Sequence, residues 1–230
     1  MTAAAHWVVI PAAGVGKRMN AECPKQYLSL GRQTVIEHTL DRFLRVPQIT
    51  GIVVALDPQD AFWPSLKITC DKPLLTVAGG KQRCHSVLNA LEHLADNAEP
   101  QDWVLVHDAA RPCLSNADLL RLIDTLDQDP VGGILAVPVR DTIKRGDMQL
   151  RIAETVDRSG LWHALTPQMF RLEMLNRALR QSLADDYLVT DEASAMEYIG
   201  LKPRLVEGRA DNIKITRPED LGLAEYYLDH

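Results

Sequence analysis

Trp7-Val8-Val9-Ile10-Pro11-Ala12-Ala13-Gly14-Val15-Gly16-Lys17-Arg18-Met19 is the stretch that decides the fold. Its first four residues form an apolar, mostly β-branched run, which predicts a short buried strand ended by Pro11. Two glycines two apart follow; they permit a tight turn and a close approach of backbone to a bulky ligand, with freed N–H groups pointing at anions. Arg18, and Lys25 of Pro24-Lys25, bring two positive charges to the same neighbourhood. That combination suits a nucleoside triphosphate. It is not a Walker loop, because no Ser or Thr follows Lys17, and it is not a dinucleotide fingerprint, because Met19 stands where the third glycine belongs. Taken alone, the stretch reads equally well as an ordinary βα turn with solvated charges.

Outward from this loop the chain alternates between two periods. Val35, Ile36, Leu40, Phe43 and Leu44 recur at helical spacing behind Thr34, a candidate N-cap, and predict a helix over about 34–45. Gly51-Ile-Val-Val-Ala-Leu56 predicts a second buried strand, and Leu74-Leu75-Thr76-Val77 a third that ends at Gly79-Gly80. Val87, Leu88, Leu91 and Leu94 mark a helix, Trp103-Val-Leu-Val-His107 a strand, and Leu119, Leu122, Ile123 and Leu126 one face of a further helix capped by Ser115. Gly133-Ile-Leu-Ala-Val-Pro138 adds a strand. The βαβα rhythm predicts an α/β fold with a mostly parallel sheet between helices, and ligands outside the carboxyl ends of its strands.

The rhythm breaks at 139–156, where Val139 to Lys144 and Leu150 to Val156 predict two strands joined at Arg145-Gly146-Asp147. They are too polar for the central sheet, and a lone two-stranded hairpin is marginal in water, so a protruding β-arm that packs on a second copy of the chain is expected. Beyond it, Leu172, Leu175, Leu179 and Leu183 predict a helix, Asp191 to Ile199 another, Leu205-Val206 a strand, and Pro218 the start of a last helix. One domain over 1–230 is the expectation.

Composition narrows the function classes. At 230 residues and 46% hydrophobic content there is ample material for a core. The net charge of −6 and the absence of any Lys/Arg run argue against nucleic acid as a partner. Cys23, Cys70, Cys84 and Cys113 contain no Cys-x-x-Cys pair, which argues against a zinc site and fits a reducing cytosol. No apolar run approaches the ~20 residues of a membrane span, so a soluble, cytoplasmic protein is expected.

Further candidates sit at strand ends. Asp108, after the central strand, is able to hold a hard divalent cation together with substrate phosphates, or simply to cap the next helix. Arg111 lies beside it. Gly80 would let a nucleobase lie against backbone, or makes a simple turn. Thr190 opens a capped helix start. Lys214 stands near the sheet top, and Arg158 just after the arm; both also read as solvated. His107 and His163 lack metal-ligand spacing and read as core or surface residues.

Together these segments resemble the 2-C-methyl-D-erythritol 4-phosphate cytidylyltransferase family along the whole chain. The matching blocks are Pro11-Ala-Ala-Gly14-x-Gly16-x-Arg18, Cys23-Pro-Lys25-Gln-Tyr27, Gly79-Gly80 with Arg83 and Ser86-Val87, Val106-His-Asp-Ala-Ala-Arg-Pro112, Arg140-Asp-Thr142, Thr155-Val-Asp-Arg158, Thr166-Pro-Gln168, Thr190-Asp-Glu-Ala-Ser194 and Glu207-Gly-x-x-x-Asn-Ile-Lys214. Lys81 departs from the pattern and is left out of the expected site.

The resemblance implies a Rossmann-like nucleotidyltransferase domain that joins CTP and methylerythritol phosphate, with Mg²⁺, to give CDP-methylerythritol and pyrophosphate. It further implies that Arg18 and Lys25 offset charge on the α-phosphate and leaving pyrophosphate, and that Ala12, Ala13, Gly14, Gly80, Ser86 and Ala109 line the cytidine pocket. Asp108, Arg111, Thr190 and Lys214 are implied at the polyol phosphate, with Asp108 also near the metal. Thr142 and Arg158 are implied to reach that phosphate from the neighbouring subunit of a homodimer. Three rivals stand beside this reading. Ribitol 5-phosphate cytidylyltransferases share the frame; a non-catalytic nucleotide-binding module would be expected to lose Arg18 or Lys25; an NAD-binding dehydrogenase needs the third glycine and an acidic strand end that are missing here.

Overall fold

The computed structural model describes residues 4–14 and 23–230. Arg18, with Gly16 and Lys17 of the opening loop, lies outside the described residues. In chain order the elements are β1 (His6–Pro11), a 3-10 turn (Lys25–Tyr27), a small hairpin of β2 (Ser29–Leu30) and β3 (Gln33–Thr34), α1 (Val35–Leu44), β4 (Ile49–Leu56), β5 (Leu74–Ala78), α2 (Arg83–Ala95), β6 (Trp103–Val106), α3 (Asn116–Leu126) and β7 (Gly132–Pro138). Then come β8 (Ile143–Gly146), β9 (Ile152–Val156), β10 (Trp162–Arg171), α4 (Leu172–Ala184), α5 (Glu192–Tyr198), β11 (Arg204–Glu207) and α6 (Glu219–Asp229).

Seven strands form one sheet in the order β11-β7-β10-β6-β1-β4-β5. All neighbours run parallel except β10, which is antiparallel to both β6 and β7. Side chains alternate between the two faces of a strand, and both faces here are covered. Val8 and Ile10 join Ile36, Leu40 and Phe43 of α1 and Leu119, Leu122 and Leu126 of α3 on one side. Trp7 and Val9 join Val87 and Leu91 of α2 and Leu175 and Leu179 of α4 on the other. This is why Trp7 to Ile10 reads as a continuous apolar run: every position meets a helix layer.

The helix starts follow local chemistry. Thr34 caps α1 through a capping box, its Oγ1 accepting from the Glu37 N–H at 3.4 Å while the Glu37 carboxylate accepts from the Thr34 N–H at 2.7 Å. Ser115 caps α3 by accepting from the Asp118 N–H at 3.1 Å. At α5 the cap is Asp191 rather than Thr190, with Ser194 answering it from the third helical position. Pro218 holds the N-cap position of α6, one residue before the first helical turn.

The strand that sequence reading passes over is β10. Pro167 falls in the middle of Trp162–Arg171, and a proline within an apolar run normally argues against a strand because it cannot donate to the ladder. The pairing of β10 with β7 is interrupted between Ala164 and Gln168, so Pro167 falls where no ladder bond is made. The arm at 139–156 is present but shorter than expected: only Ile143–Gly146 and Ile152–Val156 pair, as a separate two-stranded sheet. Its Met148 and Leu150 are 97% and 94% exposed.

Candidate active site

The carboxyl ends of β1, β5 and β6 converge on one cleft. After β1 the chain is held by the Ala12 N–H donating to the Ala55 carbonyl at 2.8 Å, and by buried Gln26, whose amide donates to the Ala12 carbonyl at 2.7 Å. The turn after β5 passes so close to this loop that glycine is required. A Cβ at Gly79 would lie 2.3 Å from the Ala13 Cβ, and one at Gly80 the same distance from the His85 Cβ in α2. The Gly80 N–H donates to the Ser86 hydroxyl at 3.0 Å, so Ser86 sets the shape of the turn as well as lining it. The glycine pair is thus explained by packing between two loops and a helix. The result is a cavity of about 200 Å³ lined by Ala12, Ala13, Gly14, Lys25, Gly80, Ser86, Asp108 and Ala109, with Lys214 at its edge.

Asp108, at the end of β6, is the centre of charge. Its Oδ1 accepts from Arg83 Nε at 3.0 Å; its Oδ2 accepts from Lys214 Nζ at 2.9 Å and faces Arg111 Nε at 3.4 Å. Burial alone would raise the carboxyl pKa, but Arg83, Lys214 and Arg111 hold it well below the usual carboxylate range. Arg83 is shared with buried Glu192, so three cations and two carboxylates leave one net positive charge in this cluster, suited to anionic groups arriving from solvent.

A second cavity of about 220 Å³ opens on the other side of this centre, lined by Arg83, Asp108, Arg111, Thr166, Gln168, Thr190, Asp191 and Lys214. The two cavities share Arg83, Asp108 and Lys214. The segment carrying Lys214 is stitched in place from three sides. Ile215 donates its N–H to the Ala110 carbonyl at 2.9 Å, Arg111 donates to the Asn212 carbonyl at 2.7 Å, and Lys25 Nζ donates to the Ile215 carbonyl at 2.8 Å.

Behind Asp108 the floor is built on His107, fully buried against Phe43. Burial lowers its pKa to about 4, so the ring is neutral at pH 7. Nε2 lies 3.0 Å from the Arg111 carbonyl, which only accepts, so the proton is on Nε2. Nδ1 therefore accepts from the Thr166 hydroxyl at 3.0 Å, and that hydroxyl in turn accepts from the Asp108 N–H at 3.2 Å. The relay links β10 to the carboxyl end of β6 and accounts for His107 as a core residue. Its folded pKa is below the unfolded value near 6.5, so the unfolded chain binds more protons between those values. Stability contributed by neutral His107 is fully present above about pH 6.5 and is lost as pH falls towards 4, by about 3 kcal/mol at most. Urea unfolding at steps of pH across that window should show the decline, and His107→Asn should flatten this part of it; an unchanged slope in the variant assigns the decline to other groups.

Of the residues expected from sequence, Ala12, Ala13, Gly14, Lys25, Gly80, Ser86, Asp108, Ala109 and Lys214 meet in the first cavity, and Arg111 and Thr190 join Asp108 and Lys214 in the second. Thr142 and Arg158 line neither cavity: both are exposed at the base of the arm, where the Arg158 guanidinium donates to the Arg140 carbonyl. The reading of Asp108 as a metal ligand does not fit this geometry. Both its oxygens already accept from cationic side chains, and a dication placed there would face three positive groups at close range. Among the described residues no group of three or more His, Cys, Asp or Glu side chains is placed to hold a metal ion. Arg83 and Glu192 are the members that sequence reasoning missed; each appeared only as part of a matching block.

The family model for 2-C-methyl-D-erythritol 4-phosphate cytidylyltransferase (IspD) matches residues 6–230. A protein of that name from Pseudomonas putida (strain W619) is 58% identical over 221 residues, covering 96% of this chain and 94% of the relative. One from Pseudomonas fluorescens (strain Pf0-1) is 59% identical over 218 residues, covering 94% and 93%. A crystal structure of a 4-diphosphocytidyl-2C-methyl-D-erythritol synthase superposes with a TM-score of 0.86 at 39% identity, covering 98% of this chain and 100% of the other. The Francisella tularensis 2-C-methyl-D-erythritol 4-phosphate cytidylyltransferase gives 0.84 at 38%, covering 97% and 100%. With the match running through both cavities and the arm, this chain belongs to the 2-C-methyl-D-erythritol 4-phosphate cytidylyltransferase family.

Proposed function

We propose that the two cavities flanking Asp108 are the seats of the two substrates of the family's reaction. The chain is a nucleotidyltransferase: it moves the cytidylyl group of CTP to 2-C-methyl-D-erythritol 4-phosphate, giving 4-diphosphocytidyl-2-C-methyl-D-erythritol and pyrophosphate. The observation that carries the assignment of seats is the shared wall of Arg83, Asp108 and Lys214, which puts a cationic partition where two anions must meet. In this reading the cytidine lies among Ala12, Ala13, Gly14, Gly80, Ser86 and Ala109. The polyol phosphate is held by Arg111, Thr190 and Lys214, with Asp108 keeping those cations aimed.

The acceptor phosphate attacks the α-phosphorus in line, a new P–O bond forming as the bond to the β-phosphate oxygen breaks, and pyrophosphate leaves with that electron pair. No side-chain nucleophile is needed. Lys25 and Arg18 offset the charge that builds on the α-phosphate oxygens and the departing pyrophosphate, where fixed donors in a dry site count most. Lys214 and Arg158 orient the attacking phosphate, Arg158 and Thr142 being supplied by a second copy whose arm covers this one. A divalent cation, Mg²⁺ in this reading, would supply charge neutralisation for the triphosphate; no described residue is assigned to hold it. A cytosolic setting belongs to the same proposal, and among the described residues no helix is long and apolar enough to cross a membrane.

The test offers purified protein CTP, Mg²⁺ and, in turn, methylerythritol phosphate or ribitol 5-phosphate. Rapid product formation is expected with the first only, and preference for ribitol phosphate would sink the acceptor assignment. Excess chelator should stop turnover and added Mg²⁺ restore it. Asp108→Asn should raise KM for the acceptor about tenfold while leaving the half-saturating Mg²⁺ concentration within about twofold of wild type. A large rise in that Mg²⁺ requirement would return Asp108 to the metal.

A further inference from the structure

Glu192 is 1% exposed, yet carries a carboxylate. A buried carboxylate persists only with a partner, and this one has a two-pronged partner: Glu192 Oε1 accepts from Arg83 Nη1 at 2.6 Å and Oε2 from Nη2 at 3.0 Å. The third edge of the same guanidinium, Nε, is the group that holds Asp108 Oδ1 at 3.0 Å. Glu192 is the first residue of α5, directly after Thr190 and the capping Asp191, both of which line the second cavity. Arg83 is the first residue of α2, directly after the turn at Gly80. One planar side chain therefore spans from the start of α5 to the carboxylate that gathers Lys214 and Arg111. The line is specific to arginine, because a lysine ammonium has no rigid fork to reach two carboxylates at once.

We propose that Arg83, locked by buried Glu192, is a positioning residue for the acceptor seat: it fixes Asp108 and the start of α5 relative to each other, so that Lys214, Arg111 and Thr190 converge on one phosphate. It acts through Asp108 and α5 rather than on the reacting atoms; although Arg83 also lines the first cavity, its guanidinium bonds run to Asp108 and Glu192, so the larger contribution is to the acceptor. The cytidine walls, Ala12 to Gly14, Gly80, Ser86 and Ala109, are set by backbone and Ser86 contacts in which the guanidinium takes no part. Misplacing the cations that hold a nucleophile by about 1 Å is enough to cost on the order of 10²-fold in rate.

The inference rests on the assignment of seats above, so wild-type turnover with CTP and methylerythritol phosphate is measured first; a failure there falls on that assignment and not on Arg83. Arg83→Lys keeps a positive charge beside Glu192 and loses the fork. It should lower kcat/KM for the acceptor roughly 10- to 100-fold, with the Kd for CTP, measured by calorimetry, changed less than about threefold. Glu192→Gln, nearly identical in shape, tests the same link should the lysine variant fail to fold; it should show the same split at smaller size. In the double variant the acceptor effect should be no larger than in Arg83→Lys alone, since both act through one line. Loss of CTP affinity in step with acceptor affinity, an acceptor kcat/KM within about twofold of wild type in both folded variants, or fully additive effects would each overturn the proposal.

Discussion

Lys25→Ala is expected to lower kcat by at least about 10²-fold while the protein remains folded. The lysine sits on a short 3-10 turn at the mouth of the first cavity, and its ammonium is aimed by the Ile215 carbonyl at 2.8 Å. Removing it deletes the hydrogen bond to the Ile215 carbonyl, and a bond of that kind contributes about 0.5–1.5 kcal/mol to folding, which a chain with helix layers on both faces of its sheet tolerates. In the proposed reaction the same deletion removes a fixed positive charge from beside the departing pyrophosphate, and the expected loss is of transition-state stabilisation. The readout is kcat at saturating CTP and acceptor, beside a melting curve. Turnover at the wild-type rate would take Lys25 out of the mechanism, and a collapsed melting temperature would make it structural. Arg18, outside the described residues, should behave like Lys25.

Mixing two inactive proteins should produce an active one. Arg158 lines neither cavity of its own chain, while the arm beside it exposes Met148, Leu150 and Ile152, the last 68% exposed. A two-fold dimer whose arms embrace would cover those side chains and deliver Arg158 to the partner's acceptor seat. If so, a hybrid of an Arg158→Ala subunit with a Lys25→Ala subunit holds one site with both defects and one with neither. Random exchange at equal amounts makes about half the dimers hybrids, so about one quarter of all sites regain full activity. The measurement is turnover after exchange, with hybrid formation followed by mass. No recovery despite exchange, or a fully active monomer, would place Arg158 in its own subunit or outside the reaction.

What the sequence made legible is what local period and turn chemistry encode. Trp7 to Ile10 and Trp103 to Val106 announce themselves as strands because helices cover both faces, and Thr34 and Ser115 announce helix starts because capping is a matter of three residues. β10 was hidden because Pro167 contradicts a strand unless one knows where the ladder breaks. The partners of Asp108 were hidden for a different reason. Arg83 and Glu192 are 109 residues apart, and nothing in either neighbourhood distinguishes a bidentate buried pair from two solvated charges. Asp108 poses the same difficulty, since a carboxylate at a strand end looks alike whether it meets an ion or three basic side chains. The family resemblance named positions but not the bonds between them.

The contact between Lys25 and the Ile215 carbonyl also bears on how the protein is made. Lys25 leaves the ribosome early, in the first loop, whereas the carbonyl that aims it is synthesised 190 residues later. The segment around Ile215 is in turn packed with Leu30, Val35, Ala110, Cys113 and Ala224, so its seat includes the last helix of the chain. Chains fold from their beginning as they are made, and here the sheet and its helices are largely in place before this late piece exists. A nascent chain halted before residue 214 therefore carries the loop, the glycine turn and Asp108 but neither Lys214 nor the carbonyl that holds Lys25. Competence to react waits for the segment that carries Lys214 and Ile215.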